Sequence, residues 1–329
     1  MGTAPHIESP EAPRVVRTIR NLLADYRVEL GILLAFLILC TALSLLTPRF
    51  LSVGNVGNLF WQATTLGIIA IGQTFVILTA GIDLSVGGNM AFSAMLGGLV
   101  MVKLGFVAGV PAILLTGIFV GLVNGYLISY SQLAPFIVTL GTASITRSLT
   151  YVVSDAHSLV GLPSAYRFFG YHQLFGIPVY VFILVLFFIV GHVVLTRTKL
   201  GVFFYSIGSN EEAARLAGVN IRLNRTIAYV ITGFLSAMAV IILTSRLGAI
   251  DPDTGTSMEL DTIAAVVIGG CSLFGGKGSL VGTLIGVFLI TVLHNGLNLL
   301  GVSPFWQGSA VGTVVIVSVQ IDRFLRRRR

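Results

Sequence analysis

The motif that most resembles a chemical site lies around Lys277. A phosphate-binding loop reads G-x-x-x-x-G-K-S/T, because backbone N–H groups and the lysine surround the phosphates. Gly276 and Lys277 match this pattern, but Cys271 stands at the first glycine position and Gly278 at the hydroxyl position. The run before the motif is apolar and reads as a membrane span, so no β-strand leads into it. We therefore exclude nucleotide binding here, and no other stretch resembles an ATPase motif.

Histidine and cysteine show no catalytic or metal-ligand spacing. Cys40 and Cys271 both lie in apolar surroundings, which predicts neither a disulfide framework nor a zinc site. Only His294 lies deep in an apolar run with polar neighbours, Asn295 and Asn298. This group is either a hydrogen-bonded helix contact or the polar lining of a permeation path. We predict no catalytic residue and no metal site in this chain.

Ionisable residues inside the apolar runs are rare. Arg147 is the clearest, and an intramembrane arginine usually faces the protein interior or water. Proton- or sodium-driven carriers need buried carboxylates near the midplane, and only Asp83 is a candidate. We expect Asp83 to lie near the surface. If the protein pumps, its energy must therefore come from outside the chain.

The longest internal polar stretch, 196–225, contains a short helix signal. Ser209 can cap a helix, and Glu212 three residues later completes a capping box. Glu211 lies in the first turn, where the helix dipole favours a carboxylate. Gly218 is expected to end the helix as the residue after its C-cap. The stretch therefore predicts about two turns of capped helix presented to a partner.

One face of this short helix is expected to suit close insertion into a partner. Ala213, Ala214 and Ala217 leave little side-chain bulk there. The whole predicted contact surface consists of Ser209, Asn210, Glu211, Glu212, Ala213, Ala214, Arg215 and Gly218.

Composition identifies the class of protein. Apolar residues make up 55% of the 329 residues, charged residues 10%, and the mean hydropathy is +0.94. Soluble domains carry about 25% charged residues. The chain is therefore predicted to be an all-α polytopic membrane protein.

Spans need about 20 apolar residues each, and the sequence offers about ten of them. Several are short and broken by glycine. We predict spans at 29–47, 58–80, 86–102, 106–130, 135–153, 175–196, 226–248, 261–274, 279–300 and 303–321. They form a transmembrane domain over 28–322, between polar tails at 1–27 and 323–329.

The distribution of basic residues predicts the orientation. With ten spans, the two tails, the 197–225 loop and Lys277 fall on one side and hold 15 of the 20 basic residues. This side is cytoplasmic by the positive-inside rule. The net charge of +7 is therefore a topology signal, and we expect no nucleic-acid partner.

Two glycine clusters, 81–89 and 269–278, separate apolar runs. Non-helical backbone at membrane depth is tolerated only where it is buried in protein or lines water. Each cluster is either a turn at the cytoplasmic surface or a break within the membrane, and the topology favours the turn.

The polar loop resembles a known motif. The spacing Glu212-Ala213-Ala214-x-x-x-Gly218 is similar to the EAA loop of ABC importer permeases. Four further segments resemble the ribose-type permeases, so that the likeness extends over nearly the whole chain. The segments of the resemblance are 81–88, 135–142, 207–214, 259–270 and 295–301. Cys271 and Phe274 depart from the pattern expected there.

The resemblance implies a homodimeric permease in the bacterial cytoplasmic membrane, with both termini cytoplasmic. The EAA loop would be the coupling helix, which docks on a separate ATPase subunit. The complex would contain two copies of this ATPase, and they would hold ATP and Mg. An extracytoplasmic sugar-binding protein would deliver a monosaccharide or small polyol. The chain itself would hold no cofactor and would not be an enzyme.

Candidate residues follow for two further surfaces. Polar or aromatic residues in glycine-rich spans are candidates for the translocation path, or else helix–helix contacts: Gln73, Asn89, Asn124, Phe136, Thr139, Asn295 and Asn298. Charged residues of the outer loops are candidates for docking the binding protein, or else ordinary loop residues: Arg167, Arg246, Asp251 and Asp253.

Two other classes of function are weighed against an importer permease. A secondary carrier or channel would need a buried coupling carboxylate or a selectivity ring. A membrane-embedded enzyme would need clustered His, Asp and Glu within spans. The sequence shows neither pattern.

Overall fold

A computed structural model describes residues 27–303, 306–313, 316–317 and 320. In chain order its helices are α1 (Arg27–Leu46), α2 (Val53–Leu78), α3 (Val86–Leu104), α4 (Phe106–Ser129), α5 (Pro135–Ser154), α6 (Phe168–Tyr171), α7 (Val179–Arg197), α8 (Lys199–Ser209), α9 (Glu211–Leu216), α10 (Ile221–Leu247), α11 (Met258–Ile268) and α12 (Leu280–Leu299). A 3₁₀ turn (Ser164–Arg167) precedes α6, and an antiparallel hairpin, β1 (Gln173–Leu174) with β2 (Ile177–Pro178), precedes α7.

Eight of these helices are long and apolar enough to cross a membrane, which confirms the polytopic helical class. They are all but α6, α8, α9 and α11, and each matches a predicted span to within a few residues. The predicted eighth span, 261–274, is wrong as one helix, because α11 has only 11 residues and the chain after it is non-helical. The predicted tenth span, 303–321, lies partly outside the described residues, and 306–313 within it are helical. The C-terminal tail and all but the last residue of the N-terminal tail lie outside them.

The protein core forms around α2, whose most apolar window is 89% buried, against 6% for α1. Helices α4 and α10 cross closely because glycine removes side-chain bulk from their contact. A Cβ atom at Gly121 would lie 3.1 Å from the Cα of Val230 and closer still to the carbonyl of Tyr229. Small residues at such crossings bring helix backbones together in membranes.

Residues 248–257, here called the inward segment, connect α10 to α11 without forming a helix. Ile250 pairs with Leu159 and lies against Gly98 of α3, whereas Gly255 lies against Gly87 near the start of that helix. The segment therefore descends about 16 Å along α3, at about 1.5 Å per helical residue. Since α11 adds a similar length, segment and helix together span about 33 Å, close to the roughly 30 Å hydrocarbon thickness of a bilayer. The eighth crossing is thus half extended and half helical.

Arg147 compensates for the missing helical hydrogen bonds of this crossing. Its Nη1 donates to the carbonyl of Pro252 at 2.8 Å and to that of Thr254 at 3.0 Å. Backbone at membrane depth needs such partners, since lipid supplies none. The prediction that Arg147 faces the protein interior is therefore confirmed, and its partners are two main-chain carbonyl groups.

The first glycine cluster divides between a buried connection and the start of a helix. Residues 81–85 are non-helical, and 86–89 form the first turn of α3. Asp83 is 2% exposed and accepts from the N–H of Ser85 at 2.8 Å and from its hydroxyl at 2.6 Å. The prediction of a surface position for Asp83 is wrong, because the connection folds back against α2 beside Gln73. The second cluster is a turn between α11 and α12, with Phe274 61% exposed.

Candidate functional site

Helix α9 realises the short helix predicted in the polar loop, with its start shifted by one residue. Asn210 is the N-cap, and its side chain accepts from the N–H of Ala213 at 2.9 Å. The predicted cap at Ser209 is wrong, because α8 continues through that residue. The capping box is absent as well, since Glu212 pairs instead with Arg215 at 2.6 Å.

The end of α9 follows the prediction. Gly218 has φ +81°, a left-handed conformation that glycine adopts without strain. Its N–H donates to Arg215, and the N–H of Val219 donates to Ala214, both at 3.0 Å. These two bonds form a Schellman motif, which satisfies carbonyls that the helix end leaves free.

The exposed face of α9 differs from the expected one. Ala214 is only 4% exposed, so it packs inside its own chain and is not available to a partner. Leu216, in contrast, is 79% exposed, and Ala213 and Ala217 are exposed beside it. The helix thus presents an apolar side chain bordered by small residues.

Two ion pairs hold the charged side of α9. Glu211 pairs with Arg225 of α10 at 2.7 Å, which ties the short helix to the start of a spanning helix. Arg215 donates to Glu212 at 2.6 Å, and this hydrogen bond raises the pKa of the Arg215 guanidinium.

Helix α8 carries α9 into contact with the end of α2 and with the turn between α11 and α12. The N–H of Gly276 donates to the carbonyl of Leu78, at the end of α2, at 3.1 Å. Gly208 of α8 lies directly against both, and a Cβ atom there would come 2.5 Å from the nitrogen of Gly276. We call Leu78, Gly208 and Gly276 the glycine junction. It joins the base of α9 to the end of α2 and to the turn that connects α11 with α12.

Four of the predicted path residues surround the 81–85 connection or the start of α3. Asn124 donates to the hydroxyl of Ser85 at 2.7 Å and accepts from Thr142 at 2.7 Å. Thr139 donates to the carbonyl of Ile82 at 3.3 Å. The amide of Gln73 faces the backbone of Asp83, and Asn89 donates to the carbonyl of Gly117 at 3.3 Å. All four are buried, and these bonds are contacts within the protein.

The other three path candidates lie elsewhere. Phe136 is 55% exposed on α5. Asn295 exchanges two hydrogen bonds with Asn55, at 2.9 and 2.8 Å, and so joins α12 to α2. Asn298 lies at the edge of a cavity that the sequence did not reveal. The structure therefore does not bring the seven candidates together.

This cavity, here called the outer cavity, has a volume of about 440 Å³. It lies where the N-terminal half of α2 and the C-terminal halves of α10 and α12 meet the end of the inward segment and the start of α11, a region that the predicted orientation places toward the outside. Most of its lining residues carry a polar atom. They are Trp61, Gln62, Thr65, Leu66, Leu243, Thr256, Ser257, Met258, Asp261, Thr291, His294, Asn298, Gln307 and Gly308.

A chain of hydrogen bonds fixes one wall of the outer cavity. Asp261 pairs with Nε2 of His294 at 3.2 Å, and Nδ1 of His294 lies 2.9 Å from the side-chain oxygen of Gln307. Gln307 in turn donates to Asn298 at 2.7 Å. Asp261 is a second carboxylate within the helical part of the protein, besides the candidate Asp83, and its side chain is 17% exposed. His294 could be singled out from the sequence, whereas Asp261, at the first position of the predicted eighth span, gave no sign of this pairing.

Three of the four predicted docking residues, Arg246, Asp251 and Asp253, have polar partners within the chain. Arg246 lies 4.5 Å above the ring of Trp61 and donates to Asn58. Asp253 accepts from the hydroxyl of Tyr151, and Arg167 is exposed near Gly248. Asp251 accepts from the hydroxyl of Ser158 at 2.6 Å. Asp251 and Asp253 thus help to attach the inward segment to the rest of the protein.

Comparisons with known proteins agree with this architecture. A family model described as a branched-chain amino acid transport system permease component matches residues 55–319. The ribose import permease of Bacillus subtilis is 45% identical over 90% of this chain and 92% of its own length. That of Haemophilus influenzae is 38% identical, over 92% and 96% respectively. The D-allose permease of Escherichia coli is 36% identical, over 86% and 88%.

No solved structure matches. The family match covers most of the chain, and each of these relatives is similar over nearly its full length. The chain therefore belongs to the ribose-type permeases, the non-catalytic membrane subunits of ABC importers.

Proposed function

We propose that this chain forms the membrane path of an ATP-driven importer for a neutral monosaccharide. Relatives named for ribose, D-allose and fructose support this substrate class. The working complex holds two copies of the chain, a separate ATPase with its ATP and Mg, and an extracytoplasmic sugar-binding protein. It lies in the bacterial inner membrane with both termini in the cytoplasm.

One observation carries the proposal, namely the exposed and rigidly held helix α9. It is capped at both ends, presents Leu216, and is tied to α10 by the pair of Glu211 with Arg225. A helix that transmits movement must fit a partner and must not bend at its base. The glycine junction supplies that base, because backbone packs on backbone there with no intervening side chain.

Movement of α9 has a direct route to the outer cavity. The glycine junction contacts the turn between α11 and α12, and these two helices carry Asp261, Thr291 and His294. The junction also contacts the C-terminal end of α2, and the same helix carries Trp61 near its other end. The ATPase is therefore proposed to act on the cavity through this junction.

The outer loops are proposed to receive the binding protein. Arg167 is exposed there, and Arg246, Asp251 and Asp253 lie at the mouth of the inward segment. Charges at such surfaces act mainly in steering and register.

The test is ATP-driven uptake in a defined system. The chain is co-expressed with a candidate ATPase, placed in liposomes with ATP inside, and supplied outside with labelled ribose and a candidate binding protein. Uptake that needs both ATP and a hydrolysis-competent ATPase supports the proposal. Absence of uptake for ribose, allose and fructose, with an assembled complex, would contradict it.

A proton-coupled carrier is the second candidate, because Asp261 and His294 form an intramembrane pair at 3.2 Å. Proton relays use such Asp and His groups. On this view uptake would continue without an ATPase and would stop when a protonophore collapses the proton gradient. For an ATP-driven permease, uptake stops without the ATPase and continues when the protonophore is added.

A further inference from the structure

Helix α4 has one face turned to the protein and one face turned away from it. Gly117, Gly121 and Gly125 lie against the backbone of α10, so the small residues of α4 are used for contact within the chain. The opposite face carries large apolar side chains at helical spacing, each between 47% and 65% exposed. We call these four residues the α4 stripe: Leu115, Phe119, Leu122 and Tyr126.

The chemistry of the α4 stripe favours lipid as its neighbour. Close contact between membrane helices uses small residues, and a surface that faces water carries polar ones. The neighbouring α5 shows both on its exposed face, with Gly141, Ser144 and Ser148. The α4 stripe has neither, since its only polar atom is the hydroxyl of Tyr126. Its side chains therefore match the acyl chains of a bilayer.

Arg222 of α10 lies at one end of the stripe, which the predicted orientation places toward the cytoplasm. Its guanidinium carbon is 5.9 Å from the ring centroid of Tyr130, and this ring stacks on that of Tyr126 at 5.2 Å. Arg222 is exposed, and it forms no ion pair within the described part of the chain. Tyrosine rings at such a position lie at the level of lipid headgroups. The cation of Arg222 is thus held at that level.

The other charged groups around Arg222 neutralise one another. A cavity of about 620 Å³ lies between Arg222 and α9, and its lining includes two carboxylates, Glu211 and Glu212. Glu211 pairs with Arg225 at 2.7 Å, and Glu212 pairs with Arg215 at 2.6 Å. Three arginines and two glutamates leave one positive charge in the lining, and Arg222 is the arginine without a carboxylate.

The length of the stripe matches one leaflet. The hydrocarbon part of a bilayer is roughly 30 Å thick, so one leaflet takes up about 15 Å of it. From Tyr126 to Leu115 a helix rises about 16 Å, at about 1.5 Å per residue. An acyl chain lying along the stripe would therefore reach from the headgroup level at Arg222 to about the middle of the bilayer.

We propose that an anionic phospholipid of the cytoplasmic leaflet binds here, with its phosphate on the guanidinium of Arg222 and one acyl chain along the α4 stripe. Arg222 stands three positions before Arg225, whose pair with Glu211 ties α9 to α10. The lipid thus binds beside the attachment of α9. Its binding does not depend on the proposed function.

Native mass spectrometry of the full-length protein measures this binding. The protein in detergent is titrated with phosphatidylglycerol or with phosphatidylcholine of the same acyl chains, and the affinity of the first bound lipid is determined. We expect phosphatidylglycerol to bind more tightly, and Arg222→Gln to weaken its binding about fivefold, the effect of one arginine near anionic lipid. Equal affinities of the parent protein for the two lipids would overturn the role of the headgroup charge.

The matched control is Arg197→Gln. Arg197 is exposed in the last turn of α7, on the same predicted side of the membrane but on another spanning helix. This variant loses the same charge and should bind phosphatidylglycerol as the parent does. Equal losses in the two variants would mean diffuse attraction to the basic side of the protein, and would overturn a site at Arg222.

Two further measurements identify the occupant. Glycerol 1-phosphate carries the phosphate without acyl chains, so we expect that an excess of it does not displace phosphatidylglycerol; displacement would assign the site to a soluble phosphate. Phe119→Cys, in a chain without Cys40 and Cys271, is oxidised in membranes. We expect the chain to stay monomeric on a non-reducing gel. A disulfide-linked dimer would place a second copy of the chain on the α4 stripe and would overturn the lipid site.

Discussion

The Nη1 atom of Arg147 lies 2.8 Å from the carbonyl oxygen of Pro252, a residue more than a hundred positions later in the chain. The same nitrogen lies 3.0 Å from the carbonyl of Thr254. One side chain on α5 thus holds the extended half of a membrane crossing. This crossing places Ser257, Met258 and Asp261 at the outer cavity, so Arg147 is a structural support for the cavity without lining it.

We expect Arg147→Met to destabilise the protein strongly. Two carbonyls would lose their donor at membrane depth, and an unsatisfied buried group costs about 1–3 kcal/mol. Thermal unfolding in detergent, followed by size-exclusion chromatography, measures the loss. Arg147→Lys keeps the charge and one donor, and should recover part of the stability. An unfolding temperature of Arg147→Met equal to that of the parent would contradict the assigned role.

Cysteine labelling tests the predicted orientation. In a background in which Cys40 and Cys271 are replaced by serine and alanine, single cysteines are introduced at Phe175, 99% exposed in the hairpin turn, and at Leu216 on α9. An impermeant thiol reagent added to intact cells should label position 175 and not 216. Permeabilised cells, as the control, should show both. Labelling of position 216 in intact cells would place α9 outside and remove its role toward a cytoplasmic ATPase.

Leu216→Glu should prevent the ATPase from binding without unfolding the permease. Leu216 is 79% exposed, so its replacement disturbs nothing inside the chain, whereas a partner would have to bury an unpaired charge. Co-purification with the ATPase measures the effect. Phe175→Glu is the control, because it adds the same charge at a side chain that is 99% exposed in the hairpin turn, away from α9. Undiminished co-purification of Leu216→Glu would show that α9 has no partner.

The burial of Ala214 changes how a substitution there should be read. At 4% exposure, Ala214→Arg would force a long charged side chain into the packing between α9 and the rest of the chain. We therefore expect this variant to lose stability as well as coupling, so it cannot serve as an interface probe.

Hydropathy predicted the eight spanning helices well, because each is a continuous apolar run bounded by polar residues. It did not predict the crossing formed by the inward segment and α11, because the polar residues of that segment resemble a surface loop. Asp251 and Asp253 read as a surface loop, yet the first accepts from Ser158 and the second from Tyr151, and the side chain of Arg147 donates to two backbone carbonyls of the segment. Such compensation comes from a different part of the chain, which a local pattern cannot contain.

Helix α9 and the outer cavity also differ in how far the sequence predicts them. The signals for α9 are local, so the helix and its glycine end were predicted, although the cap was one residue off, the capping box does not form and Ala214 is buried. Ser209 and Asn210 are both good caps, and the length of α8 decides between them. The outer cavity is assembled from Trp61, Asp261, Thr291 and Gln307, which lie on four separate elements. Only their packing brings these residues together.

The glycine junction offers the sharpest test of coupling. A methyl group at Gly208 would overlap the carbonyl of Leu78 and come 2.5 Å from the nitrogen of Gly276. The backbone must therefore shift there, while Leu216 and the rest of the α9 surface keep their side chains. We expect Gly208→Ala to bind the ATPase normally and to permit ATP hydrolysis, but to import sugar at less than about a tenth of the parental rate, since a misplacement of about 1 Å can cost about a hundredfold in a reaction that depends on geometry.

The matched control is Gly141→Ala, a helical glycine on α5 with no atom within 4 Å of an added methyl group. It should leave uptake and ATPase binding unchanged and should not lower stability, because the methyl group meets no neighbour and alanine favours a helix more than glycine does. Uptake and ATP hydrolysis are measured on the same liposomes, so that their ratio reports coupling directly. If Gly208→Ala keeps the parental ratio, movement does not pass through the junction, and the ATPase must reach the outer cavity by another route, such as the ion pair of Glu211 with Arg225 on α10.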